Sequence, residues 1–336
     1  MSITVPLTEL VEFKAQGVKS AFWTSDLDER QYLERYLPAN FEFDQVKMNF
    51  LIKFVGGKNK QSIYTNGLVT QVDANTFKVS YPDYYTASSI FFHTVYSGAV
   101  DELRFQLKSI NGRDIPAVVY TAKSSMGSNS AELQKFKDGI TAVFKELEGD
   151  YGAFLHPSIT VYAAGSGGME YCGATITEWR ALGHELFHSY FARGVMPANG
   201  NAGWLDEALA SWRDKSYFSL DQLSGSSQMS SHAYYTRTTD IDAYTFGRDF
   251  MALLNGKFKA QGGLKPFLHQ MVAEHAFAPL FVEDFVRDMG TFYNTSVVSD
   301  FKQYTFGTKS QSHRLDFPKD ESIHHQMSLK ELKNYL

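Results

Sequence analysis

The chain has 336 residues, 43% hydrophobic and 15% aromatic, which is enough apolar mass for a sizeable core and too much for a chain disordered throughout. A net charge of -5 and a pI near 6.1, with no basic block, exclude a surface built to track nucleic acid. The one cysteine, Cys172, excludes an internal disulfide, and no apolar run reaches the roughly 18–20 residues of a membrane span.

In chain order, the opening MSITVPLTEL lacks the basic and apolar regions of a signal peptide. It implies a cytoplasmic protein if this start is native, and a secreted or periplasmic one if a signal peptide has been removed. Residues 1–24 read as an entry strand or arm. The stretch 25–37 reads as a helix, with Ser25 as its N-cap and Leu27, Tyr32, Leu33 and Tyr36 on its apolar side. From about 40 to 123 the pattern shortens to alternating, β-rich runs broken by turn signals such as GGKN and NGRD. Residues 1–123 are therefore expected to form an N-terminal β-rich domain, an antiparallel sandwich or curved sheet. The polar stretch 123–130 marks its boundary.

A second domain is expected over 124–306. It opens with a helix, 131–152, apolar along Leu133, Phe136, Ile140, Val143, Phe144 and Leu147. A strand at 158–164 and a glycine-rich stretch at 165–174 follow, and the remainder is largely helical. Residues 307–336 read as a polar C-terminal tail. The fold class is α+β.

The stretch with chemistry in it is His184-Glu185-Leu186-Phe187-His188. On a helix His184 and His188 lie one turn apart and point the same way, the spacing of two corners of a zinc tetrahedron. Glu185 is displaced around the helix, placed to reach a water on the metal. Catalytic zinc commonly takes a third protein ligand and keeps one position open. Glu207 follows His188 after 18 residues, across a loop containing Gly194, Pro197, Gly200 and Gly203. It falls in the first turn of a helix with Trp204, Leu205, Leu209 and Trp212 on its apolar side. An acid there also suits the helix dipole, and the two roles are compatible.

This combination, an HExxH pair and a glutamate 18 residues on within Trp-Leu-Asp-Glu, resembles the gluzincin metallopeptidases of the aminopeptidase N family. Gly167-Gly168-Met169-Glu170-Tyr171 resembles that family's Gly-x-Met-Glu-Asn exopeptidase motif, with some likeness to glycyl aminopeptidases, and departs from it at Tyr171. Tyr244-Thr245-Phe246-Gly247 resembles its Tyr-x-Lys-Gly motif and departs at Phe246. The likeness covers roughly 115–306. It implies a thermolysin-like, mainly helical catalytic domain and one Zn²⁺ per chain on His184, His188 and Glu207. It further implies Glu185 as general base, Tyr244 as an assisting hydrogen-bond donor, and substrate contacts at Gly168, Met169 and Glu170, with Glu170 receiving a peptide's α-ammonium.

The expected activity is zinc-dependent removal of N-terminal residues from a peptide or protein. The alternatives are an endopeptidase on the same site and a catalytically silent peptide-binding protein. His232, Tyr234 and Tyr235 are rivals to Tyr244 as the donor. Ser211 and Asp214, one and two turns beyond Glu207, are candidates to support a ligand from behind. Cys172 has no basic neighbour in sequence and reads as a small wall residue.

Overall fold

The computed structural model describes residues 11–14, 17–23, 44–56, 60–123, 129–165, 167–198, 201–232 and 239–307, with backbone alone for 11–14 and 17–23. The helix expected over 25–37, most of the polar boundary at 123–130, Tyr234, Tyr235 and all of the tail after Gly307 lie outside the described residues.

The chain is α+β, with an antiparallel β region at its N-terminal end. Among the described residues, seven strands build that region: β1 (Val11–Lys14), β2 (Gly17–Trp23), β3 (Asn49–Lys53), β4 (Gln61–Thr65), β5 (Leu68–Gln71), β6 (Thr76–Ser80) and β7 (Phe92–Tyr96). They form a four-stranded sheet in the order β1-β2-β7-β4 and a three-stranded sheet in the order β3-β6-β5, every pairing antiparallel.

The next two strands belong elsewhere. β8 (Val100–Lys108) and β9 (Asp114–Ala122) join β10 (Ile159–Ala163), β11 (Gly168–Tyr171) and β12 (Ala174–Thr177) in a sheet ordered β11-β12-β10-β9-β8. Its centre is parallel, β9 to β10 to β12, and both outer strands run antiparallel to their neighbours. The sheet therefore straddles the boundary expected near 124. The reason is visible in β9, where Ala117, Val118, Val119 and Tyr120 are all buried. A strand covered on both faces belongs at a sheet's middle, not in a half-exposed sandwich layer.

The two faces pack against different layers. Ile115, Ala117, Val119 and Val161 meet the helices through Phe136, Ile140 and Phe144. Val118, Tyr120, Tyr171 and Ala174 meet the N-terminal β region through Tyr64, Phe91 and Val95. Tyr64 and Tyr120 stack there with ring centroids 3.7 Å apart.

Helix α1 (Ser130–Tyr151) buries Leu133, Phe136, Ile140, Phe144 and Leu147, the face its sequence predicts, with Val143 half-buried at its edge. The remaining helices of the described residues are α2 (Leu182–Phe187), α3 (Leu205–Asp214), α4 (Phe246–Lys257), α5 (Lys265–His275), α6 (Val282–Phe292) and α7 (Val298–Tyr304). They share one core in which Trp204, Trp212 and Phe250 are fully buried. No helix of the described residues is long and apolar enough to cross a membrane.

Candidate metal centre

Helix α2 carries the HExxH stretch but ends at Phe187, with His188 as its cap. The chain tightens there through bonds from Ser189 N to Leu186 O at 3.1 Å and from Tyr190 N to Phe187 O at 2.9 Å. His188 keeps helical backbone angles, so both imidazoles still project from one side, ring centroids 4.8 Å apart. Helix α3 is oriented by Trp204, Leu205, Leu209 and Trp212, all buried, and its first turn presents Glu207 to the two rings. Glu207 Oε2 lies 2.9 Å from His184 Nε2 and 3.6 Å from His188 Nε2.

Among the described residues, His184, His188 and Glu207 form the one group of three potential ligands, their donor atoms all within 4.8 Å of one another. Bonds of zinc length in a tetrahedron set ligand atoms about 3.4 Å apart. The set of two imidazoles and a carboxylate is that of a catalytic zinc with an open position. The far nitrogens are held as a metal site needs. His184 Nδ1 lies 2.8 Å from Asp214 Oδ2, and His188 Nδ1 lies 3.1 Å from the Phe191 carbonyl. Both Nε2 atoms are thereby turned toward Glu207. The residues fit a zinc ion.

The electrostatics follow from burial and proximity. Burial alone would lift the Glu207 carboxyl, but the His188 and His184 imidazoles hold it well below the usual carboxylate range. Burial pushes Glu185 up to about 7; the His188 imidazole opposes this and the Glu170 carboxylate adds to it. Asp206, beside Glu207 and buried in the helix start, is also raised to about 7, by burial and then by Glu207. Its Oδ1 accepts a bond from the Glu207 amide at 2.9 Å.

Glu185 is buried and turned toward the edge strand β11. A side-chain carbon added to Gly168 would fall 1.9 Å from Glu185 Oε1, so the absence of a side chain at Gly168 is what admits the carboxylate. Glu170, one turn of the pleat along the same strand, forms an ion pair with the buried Arg193 at 2.7 Å. Met169 packs into the layer between β11 and the N-terminal β region. Tyr244 ends a short 3₁₀ turn, Ile241–Tyr244, and its hydroxyl donates to Glu207 Oε1 at 2.9 Å. His232 is instead paired with Asp240 at 2.8 Å.

Of the two candidates behind the ligands, Asp214 contacts one of them. Cys172 is buried, its thiol pushed up to about 12 by that burial. Arg193 escaped the sequence reading. The available signal was a lone charge inside the apolar run Tyr190, Phe191, Ala192, Val195, Met196, which demands a buried partner.

No protein-family model matches the chain, and no curated protein matches it in sequence. Solved structures do match. An M1 zinc metallopeptidase from Deinococcus radiodurans aligns at 15% identity and a TM-score of 0.58 over 79% of this chain and 64% of its own. Aminopeptidase A of Legionella pneumophila, in complex with aspartic acid, aligns at 13% identity and a TM-score of 0.59 over 78% and 34%. Native yeast LTA4 hydrolase aligns at 15% identity and a TM-score of 0.55 over 81% and 48%.

The fold is that of the M1 zinc metallopeptidases. The chain spans between 34% and 64% of the length of these three structures. Within this M1-type fold, β11 and helices α2 and α3 converge on the His184, His188 and Glu207 cluster.

Proposed function

We propose that the chain is a zinc-dependent peptidase that removes residues from the N-terminus of a peptide or protein. The observation that carries this reading is the His184–His188–Glu207 cluster, flanked by a buried carboxylate on one side and a phenol on the other. Zinc bound there supplies Lewis-acid polarisation of a carbonyl and acidification of water.

The chain's own groups do the rest. Glu185, pushed up to about 7 and facing the edge strand, takes a proton from the attacking water and passes it to the leaving amine. Tyr244, whose hydroxyl already sits at Glu207, donates to the oxygen on which charge builds. Glu170 pairs with the α-ammonium of the substrate, and the exposed backbone of Gly168 lets a peptide lie close along β11.

The test is hydrolysis of matched free and N-acetylated peptides, with and without a chelator, followed by zinc restoration. Cleavage of the free peptide one residue from its start, lost to chelator and restored by about one zinc per chain, is the expected result. Internal cleavage of the blocked peptide at an equal rate assigns an endopeptidase. Zinc binding without hydrolysis of any peptide assigns a binding protein.

A further inference from the structure

Arg193 is 4% exposed, and a guanidinium so deeply placed has to be matched by partners. Its side chain reaches two separate parts of the fold. One terminal nitrogen donates to Glu170 Oε1 at 2.7 Å and the other to Ser88 Oγ at 3.0 Å. Its backbone belongs to a third part, because the Arg193 amide donates to the His188 carbonyl at 2.9 Å. One residue therefore joins the end of the metal helix, the edge strand and the N-terminal β region. The residue before it, Ala192, has φ 126°, a left-handed value that a side chain resists. Strain of this kind persists where the surroundings over-determine a conformation. Here it turns the chain so that the following side chain points inward.

The far side of the clamp is equally fixed. Asn66 Nδ2 donates both to the Ser89 carbonyl at 2.7 Å and to the Cys172 carbonyl at 2.9 Å. The Cys172 amide donates back to Ser89 O at 3.2 Å. The short turn Ala87–Ser89 is thus stitched to the end of β11, and Ser88 presents its hydroxyl to Arg193 from that turn.

We infer that Arg193 is a positioning residue that holds the Glu170 carboxylate at a fixed place relative to the metal helix, braced by Ser88 from the N-terminal β region. Arg193 engages Oε1 and leaves Oε2 to accept from a ligand's ammonium. The inference rests on the aminopeptidase reading of Glu170. The geometry adds a reason for the N-terminal β region to sit where it does: it anchors the carboxylate that measures one residue from the cut.

The experiment is calorimetric titration of the zinc-loaded protein, every variant carrying Glu185→Gln so that the amide is bound and not cleaved, with L-leucinamide and with N-acetyl-L-leucinamide. Arg193→Gln should bind the free amide about 10- to 100-fold more weakly, since misplacement by about an ångström carries costs of that order. Affinity for the acetylated amide and zinc content should stay within twofold of wild type, which a merely structural role would not arrange. Arg193→Lys, which keeps the charge but loses the fork, should fall between. In a Glu170→Gln background, Arg193→Gln should cause no further loss. Undiminished affinity for L-leucinamide in Arg193→Gln, while Glu170→Gln has lost it, overturns the inference alone. A Glu170→Gln variant that keeps the preference for the free amine overturns the aminopeptidase reading and the inference with it. Should Arg193→Gln fail to fold, Ser88→Ala decides. That change removes one acceptor and no charge, and several-fold weaker binding of the free amide is expected. Wild-type binding there would leave Arg193 a purely structural role.

Discussion

Asp214 Oδ2 stands 2.8 Å behind the Nδ1 atom of His184, at the opposite end of helix α3 from Glu207. One ten-residue helix therefore supplies both a carboxylate facing the candidate metal and a carboxylate behind one of its imidazoles. Asp214 is itself placed by Arg213, which bonds it at 3.3 Å and makes a two-pronged contact with Glu146 of α1 at 3.0 and 2.7 Å. Gly183 leaves room for that guanidinium, since a side-chain carbon there would lie 2.4 Å from it. Removing such a support typically costs about 10- to 100-fold in metal affinity. Asp214→Ala should lose zinc to a chelator at correspondingly lower chelator concentration, and Asp214→Asn, still an acceptor, should lose less. Equal zinc affinity in all three proteins would show that His184 needs no support from Asp214.

Glu185→Gln preserves shape and removes the proposed base. Zinc content should match wild type while turnover falls by about 10²- to 10⁴-fold. Full activity in this variant would assign the proton transfer elsewhere.

Tyr244→Phe removes a donor placed 2.9 Å from Glu207. The loss belongs in kcat, by about 10²- to 10³-fold, with KM little changed, because the bond matters when charge has built up. Tyr235→Phe is the control, and a loss there with Tyr244→Phe near wild type would transfer the role.

Gly168→Ala places a methyl where Glu185 Oε1 lies, 1.9 Å away. The edge strand or the carboxylate has to move. Zinc content should be unchanged while kcat falls at least 10-fold, in keeping with the cost of small displacements near reacting groups. An active Gly168→Ala protein would show that Glu185 does not work from the position it occupies here.

His156 gives a prediction that concerns stability. It is fully buried, its Nε2 lies 2.8 Å from the Ser189 carbonyl, and burial lowers it to about 4. Its folded value lies below the ordinary imidazole value of about 6.5, so the unfolded chain binds the proton first as pH falls. The stability this neutral ring confers is complete above pH ~6.5 and is lost as the pH drops toward 4. Glu185 and Asp206, raised by burial, titrate in the opposite sense over part of that window, so the diagnostic is a difference. The urea-unfolding free energy of wild type minus that of His156→Gln should fall by about 3 kcal/mol between pH 7 and 4, because a proton bound by the unfolded chain alone costs about 1.36 kcal/mol for every step of one in pH. A difference independent of pH would mean that His156 is not held neutral.

What could be read from sequence was local. The i, i+4 spacing of His184 and His188 places both rings on one face, and the apolar set Trp204, Leu205, Leu209 and Trp212 aims Glu207 at them. The face of α1 was legible for the same reason. What escaped was non-local. Alternation in Val100–Lys108 is the same whether its neighbour belongs to the first region or to a later strand, so the straddling sheet could not be foreseen. Arg193 and Glu170 are 23 residues apart and meet only because β11 returns along the edge of that sheet. Asp214 and Ser211 were equivalent candidates until the tilt of α3 brought one of them to His184.

The parallel pairing of β9 with β10 also governs the order in which the protein can be made. As the chain leaves the ribosome, β8 and β9 emerge before α1 and before the strand that will cover β9's far edge. Until residues 159–163 arrive, that edge carries a row of unsatisfied amides and carbonyls on a strand with an apolar centre, Ala117 to Tyr120. The hairpin of β8 and β9 can close at once, since only a short turn separates its strands. The helical half, by contrast, waits for a template laid down earlier in synthesis, and a chain started after residue 123 would have none.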